Sequence, residues 1–187
     1  MLTNSYSIAH ACSMKDQVDV IVLGGRLLKE SMTNVGETAA SQAALYHPDL
    51  CFMGVYAIHP EYGMTIPYPD EVSIKRQLIQ SSRRVIALVN PIKLNTVSRY
   101  HVCGIEAFTT LITDNDVSGE MAVDYRNKGL DFFIVQKVFY STCCDFFALL
   151  LRYFICTPAA FCVHSNKNRI LTHIFAIICL TQHVYAL

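Results

Sequence analysis

Glu71 and Lys75 stand four residues apart in "DEVSIKRQLIQSSR" (Asp70 to Arg83), a stretch that opens on acids and closes on arginine. That polarity matches the helix dipole, so the segment reads as a helix. Four residues on a helix bring two side chains onto one face, which suits an intrahelical ion pair and a grip on a ligand equally well. Lys93 ends "VNPIK", just past an aliphatic run, where an ammonium can act as a point charge for an anion. Arg26 follows Gly24 and Gly25; absent side chains there let a ligand approach the backbone, although a tight turn plus one surface arginine explains the same residues. Cys143 and Cys144 are adjacent, no CxxC or HxxxH spacing occurs, and His10, His47, His59 and His101 are scattered singly. The set calls for no metal and no cofactor.

The elements that must position these residues alternate between strand and helix from Val18 to Val135. "VDVIVLG" is aliphatic apart from Asp19, which predicts a strand apolar on both faces in the middle of a parallel sheet. Ligands bind such sheets outside the carboxyl ends of the strands, and Gly24, Gly25 and Arg26 lie at that end. "GETAASQAALYH" reads as an amphipathic helix closed by Pro48, and "LCFMGVYAI" as a second strand interrupted at Gly54. In "HPEYGMTIPYP", Pro60, Gly63, Pro67 and Pro69 forbid regular structure. The helix after it should turn Val72, Leu78 and Ile79 inward. "RVIALVN" and "FTTLITD" are strands, "VSGEMAVDYRNKG" a helix stopped by Gly129, and "LDFFIV" a last strand. The alternation predicts an α/β fold with a parallel sheet.

The chain has 187 residues, enough for one domain with a proper core. Its 15 lysines and arginines balance 15 acids, so no basic surplus argues that this chain itself binds nucleic acid. Only one acid, Asp145, lies beyond Asp131, whereas Cys143, Cys144, Cys156, Cys162 and Cys179 all do. "MLTNSYSIAHACSMKDQ" has no apolar core of a secretory signal, so the expected location is cytoplasmic, with reduced cysteines. After Val135 the alternation stops, which divides the chain into a domain over 1–136 and an atypical apolar tail over 137–187. Three readings of the tail compete: a membrane anchor, an added packing helix, or sequence that selection never shaped, such as an out-of-frame end. Ile170 to Leu187 comes nearest to a span, but His173, Gln182 and His183 interrupt it.

"LTNSYSIA", "VIVLGGRLLKESMTNVGE", "HPDLCFMGV", "DEVSIKRQLIQSSRRVIALVNPIK" and "LITD" follow one another over Leu2 to Val135. In order and spacing they resemble the C-terminal sugar-phosphate-sensing domain of bacterial DeoR-type transcriptional repressors. The resemblance implies a Rossmann-like layer fold similar to ribose-5-phosphate isomerase and glucosamine-6-phosphate deaminase, a phosphorylated sugar as effector, and self-association. It also implies that DNA is read only through a winged-helix head upstream, together with a first βα unit carrying a Gly-Thr-Thr phosphate loop. The chain is therefore expected to be a piece of a regulator, incomplete at its N-terminus.

The same resemblance makes Asn4, Ser5, Gly24, Gly25, Arg26, Gly54, Glu71, Lys75 and Lys93 the effector-binding set. Asn4 and Ser5 match the family's Thr-Asn-Ser strand end, and Lys93 matches the lysine of its Asp-Ser-Ser-Lys segment, with Asn90 in place of the aspartate. Isomerases of this fold carry two carboxylates where Met53 and Tyr56 stand here, and Tyr56-Ala57 replaces the family's Asp-Gly, filling part of the sugar pocket. Glu71 still matches the isomerase base, but proton transfer between sugar carbons needs a base that its surroundings tune. A non-enzymatic sensor is thus expected, with a sugar-phosphate isomerase-like enzyme as the alternative.

Overall fold

The computed structural model describes residues 1–14, 16, 18–114, 117–135 and 160–163. Strands β1 (Leu2–Thr3) and β2 (Ile21–Val22) flank helix α1 (Tyr6–Ser13). A hairpin of β3 (Arg26–Leu28) and β4 (Thr33–Val35) leads into α2 (Glu37–Ala43) and then β5 (Leu50–Gly54). Next come β6 (Ala57–His59), β7 (Gly63–Ile66), α3 (Asp70–Ser81) and β8 (Arg84–Val89). The chain continues through β9 (Tyr100–Cys103), β10 (Thr110–Asp114), α4 (Gly119–Asn127) and β11 (Asp131–Val135), and β12 spans Ala160–Val163.

The main sheet has the order β11-β10-β8-β5-β12-β1-β2. Within it β5, β8, β10 and β11 run parallel, as do β1 and β2. Strand β12 is antiparallel to both β1 and β5, so β1 runs the same way as β5 and six strands end on one edge. A mixed α/β fold with a parallel sheet is what the alternation predicts.

Side chains alternate between the two faces at the strand period. Cys51, Met53, Val85, Ala87, Val89 and Leu111 face one cluster, with Ala39 and Ala43 of α2, Ile74 and Leu78 of α3, and Ala122 and Tyr125 of α4. Leu50, Phe52, Ile86, Leu88 and Ile112 face the other, against Ile8 and Cys12 of α1. Truncating one of these fully buried aliphatics to alanine would cost about 2–5 kcal/mol.

Three elements depart from the sequence expectation, and a fourth forms in the opening segment. "VDVIVLG" is not a central strand: only Ile21–Val22 pairs, at the sheet edge, with β1 as its one neighbour, and these two residues are 37% and 41% exposed. Its apolar content reflects packing of Val18 and Val20 against the α1 face instead. "HPEYGMTIPYP" is partly regular, since β6 and β7 form a hairpin that β9 extends. Proline breaks strands only where it falls, and Gly63–Ile66 contains none. The polar opening segment forms α1, capped by the Ser5 hydroxyl. On α3 the inward face carries Glu71 and Lys75 with Ile74 and Leu78, while Val72 and Ile79 are only half-buried.

Strand β12 fills a gap one strand wide between β1 and β5, and Thr3 Oγ1 donates to the Ala160 carbonyl at 2.9 Å. The rest of 137–187, including the nearest approach to a membrane span, lies outside the described residues. Among the described residues no helix is long and apolar enough to cross a membrane. Cys162 pairs with Leu2 on one side and Cys51 on the other. Cys162→Pro should therefore orphan a buried ladder partner at about 1–3 kcal/mol, lowering the melting temperature by roughly 2–12 °C. Calorimetry of the variant checks this; an unchanged transition is what an unselected tail would give.

Candidate functional site

The carboxyl edge of the sheet gathers the residues singled out from the sequence into four groups. The first is built on α3, whose side facing the sheet carries an ion pair instead of two aliphatics. Lys75 Nζ lies 3.7 Å from Glu71 Oε2, and both side chains are almost fully buried. The ammonium also donates to the Gly54 carbonyl at 3.3 Å and contacts Met53 Sδ at 3.8 Å. Gly54 thus enters through its backbone, at the end of β5. Burial holds the Lys75 ammonium below its ordinary value of 10.5, with the Glu71 carboxylate opposing that shift. Met53, standing where an isomerase-like site would carry a carboxylate, instead gives the ammonium a soft, weak acceptor. Nearby, burial pushes the Cys103 thiol up to about 12, Glu106 adding to the effect, so this thiol stays protonated and unreactive.

The second group is at the end of β1. Asn4 is 4% exposed and Ser5 fully buried. Ser5 Oγ accepts from the Ile8 amide at 3.4 Å, so its hydroxyl is engaged as the cap of α1. Asn4 Nδ2 donates to the Asn34 carbonyl at 3.0 Å, and Asn34 Nδ2 donates to the Leu23 carbonyl at 2.7 Å. Asn34 was not singled out from the sequence. Only the β3–β4 hairpin brings it against β1.

The third group follows β2. Gly24 N donates to Gln42 Oε1 at 2.7 Å, which ties this turn to α2. Gly25 has φ of +139°, and a Cβ there would lie 2.8 Å from the Val35 carbonyl; the close approach that demands glycine is to the hairpin. Arg26 pairs with Asp70 at the start of α3 on the exposed rim, where such a pair contributes about 0–1 kcal/mol. The turn accounts for these residues without a ligand, while the Arg26 guanidinium remains at the rim.

The fourth group is the turn after β8. Asn90 Oδ1 accepts from the Ile92 amide at 3.2 Å, capping the turn that carries Lys93. Thr96 Oγ1 donates to the Lys93 carbonyl at 2.8 Å. Lys93 Nζ lies 6.0 Å from the centroid of the Tyr56 ring, within cation–π range. The Tyr125 hydroxyl accepts from the Asn95 amide at 3.1 Å and can donate to the Ile58 carbonyl at 3.1 Å. Burial pushes that phenol up to about 12, so it remains a donor. Asn90 and Tyr125 therefore fix where the lysine starts from.

With the geometry established, similarity to known proteins decides the family. The family model described as the DeoR C terminal sensor domain matches residues 1–115. The chain belongs to the DeoR sensor-domain family. It is similar to the HTH-type transcriptional repressor GlcR of Bacillus subtilis, at 34% identity over 114 residues, which cover 61% of this chain and 44% of that protein. It is also similar to the putative aga operon transcriptional repressor of Escherichia coli O157:H7, at 25% identity over 73% of this chain and 51% of that protein. The regulator GolR of Listeria innocua matches at 30% identity over 64% of this chain and 48% of that protein. The chain spans about half the length of the curated relatives it matches, and those relatives are transcriptional regulators.

The buried pair makes a prediction. Lys75→Met leaves Glu71 buried without its cation and should cost about 3–5 kcal/mol, whereas the double change Glu71→Gln with Lys75→Met should recover most of that loss. Because the folded-state value of Lys75 is lowered, the unfolded chain binds the proton more tightly. Wild-type stability should then rise with pH between the lowered value and 10.5, and this rise should be absent in the double variant. Urea melts across alkaline pH check both statements.

Proposed function

We propose that this domain is the non-catalytic effector sensor of a transcription regulator, and that its effector is a phosphorylated sugar held at the carboxyl edge of the sheet. The observation that carries the reading is what that edge presents: buried polar side chains at the end of β1 and two cationic side chains, Arg26 at the start of β3 and Lys93 on the turn after β8. Parallel α/β sheets bind ligands at this edge. In this reading the polar groups meet the sugar, and the cations Arg26 and Lys93 meet the phosphate. DNA recognition would belong to a separate winged-helix head, and assembly with further copies of the chain is part of the same proposal.

The enzymatic alternative fares worse on geometry. A base that moves protons between sugar carbons must reach the substrate. Glu71 is 2% exposed and turned toward Lys75. Freeing it would break a buried ion pair.

Calorimetric titration with a panel of hexose and pentose phosphates tests the proposal. At least one should bind, and Lys93→Ala should weaken it by roughly 10- to 150-fold, the worth of one hydrogen bond to a charged group. The free sugar should be affected far less. Turnover of any panel member, or full affinity in Lys93→Ala, contradicts the reading.

A further inference from the structure

We propose that Asn4 and Asn34 form a hydroxyl-accepting subsite for the polyol part of the ligand, with Asn34 a specificity-determining residue. The inference rests on the sugar-ligand reading above and adds where, and in what orientation, the sugar lies.

The two asparagines are joined through their backbones as well as their side chains. The Asn34 amide donates to the Asn4 carbonyl at 2.7 Å, and an isolated antiparallel bridge pairs Ser5 with Thr33. Both side chains are more than nine-tenths buried. Their amide orientations are fixed by their partners, because each Nδ2 faces a backbone carbonyl: that of Asn34 for Asn4, and that of Leu23 for Asn34. Reversing either amide would set oxygen against oxygen. The orientation that satisfies the nitrogens leaves Asn4 Oδ1 and Asn34 Oδ1 buried with no hydrogen-bond partner.

Buried polar atoms are almost always paired, so two unpaired carbonyl oxygens on one backbone-linked pair point to a donor from outside the chain. Both atoms are acceptors, which sets the chemistry of that donor. Sugar hydroxyls fit. Phosphate oxygens, which carry negative charge and act chiefly as acceptors at neutral pH, are repelled by both. The phosphate is therefore directed away from β1, toward the cationic turns. The other buried hydroxyls of this region are not available: Ser31 and Thr33 bond each other at 2.7 Å, and Ser5 caps α1. No such role is visible in sequence for Asn34, since its backbone meets Asn4 only through the hairpin.

Two measurements test the subsite. Titration calorimetry of the full chain and of Asn34→Leu uses sugar phosphates, the matching free sugars and inorganic phosphate. Asn34→Leu should weaken a sugar phosphate and its free sugar by a similar factor, roughly 5- to 100-fold, and leave inorganic phosphate unchanged. The second needs no variant, so a folding defect in Asn34→Leu cannot obscure the answer. In the wild-type chain, the side-chain amide NMR resonances of Asn4 and Asn34 should shift on adding the free sugar and stay in place with inorganic phosphate. Shifts caused by inorganic phosphate, or sugar phosphates that bind while both amides stay put, overturn the subsite. The latter result leaves the sensor reading standing. Binding of free sugars alone, with both amides shifting, overturns the phosphorylated effector and keeps the subsite. No binding by any probe overturns both.

Discussion

A buried ammonium on α3 sets the terms for the rest of the molecule. Lys75 has left water, and an isolated charge in that position would be costly, so Glu71 and the Gly54 carbonyl must stay where they are. This fixes α3 against the end of β5. From that helix the other parts of the site are hung: Gly36 N donates to the Asp70 carbonyl, Arg26 pairs with Asp70, and Arg76 reaches the His101 and Val102 carbonyls of β9. A sugar-isomerase-like arrangement would use the same glutamate for chemistry. Here it serves as counter-ion to Lys75.

On the proposed reading, groups that bind without reacting suit a domain that reports occupancy. The acceptors lie at β1 and β4 and the cations at the start of β3 and on the turn after β8. A ligand bearing hydroxyls at one end and an anion at the other would bridge strands on both sides of β12. Strand β12 joins those two parts of the sheet through antiparallel pairing on both sides. Binding that spans the same gap would be coupled to how firmly that strand is seated.

Much of the central sheet is legible in the sequence because its strands are short aliphatic runs bounded by turns: Arg84–Val89, Thr110–Asp114 and Asp131–Val135 fall where they are expected. The aliphatic run around Ile21 misleads, since periodicity reports burial and not the number of neighbouring strands. Strands β9 and β12 depend on partners distant in sequence, which no local pattern encodes. Of the site, the spacing of Glu71 and Lys75 is readable, whereas their burial is not. Asn34 is invisible until the hairpin folds, and the glycines after β2 owe their identity to Val35 and Gln42, not visibly to a ligand.

Hydrogen–deuterium exchange of the full chain, with and without a saturating sugar phosphate, tests the central claim that the carboxyl edge is the binding site. Protection is predicted in the segments around Asn4–Ser5, Leu23–Arg26, Thr33–Gly36 and Asn90–Lys93 together. Protection confined to the β6-β7-β9 sheet, or to the opposite ends of the strands, would contradict it.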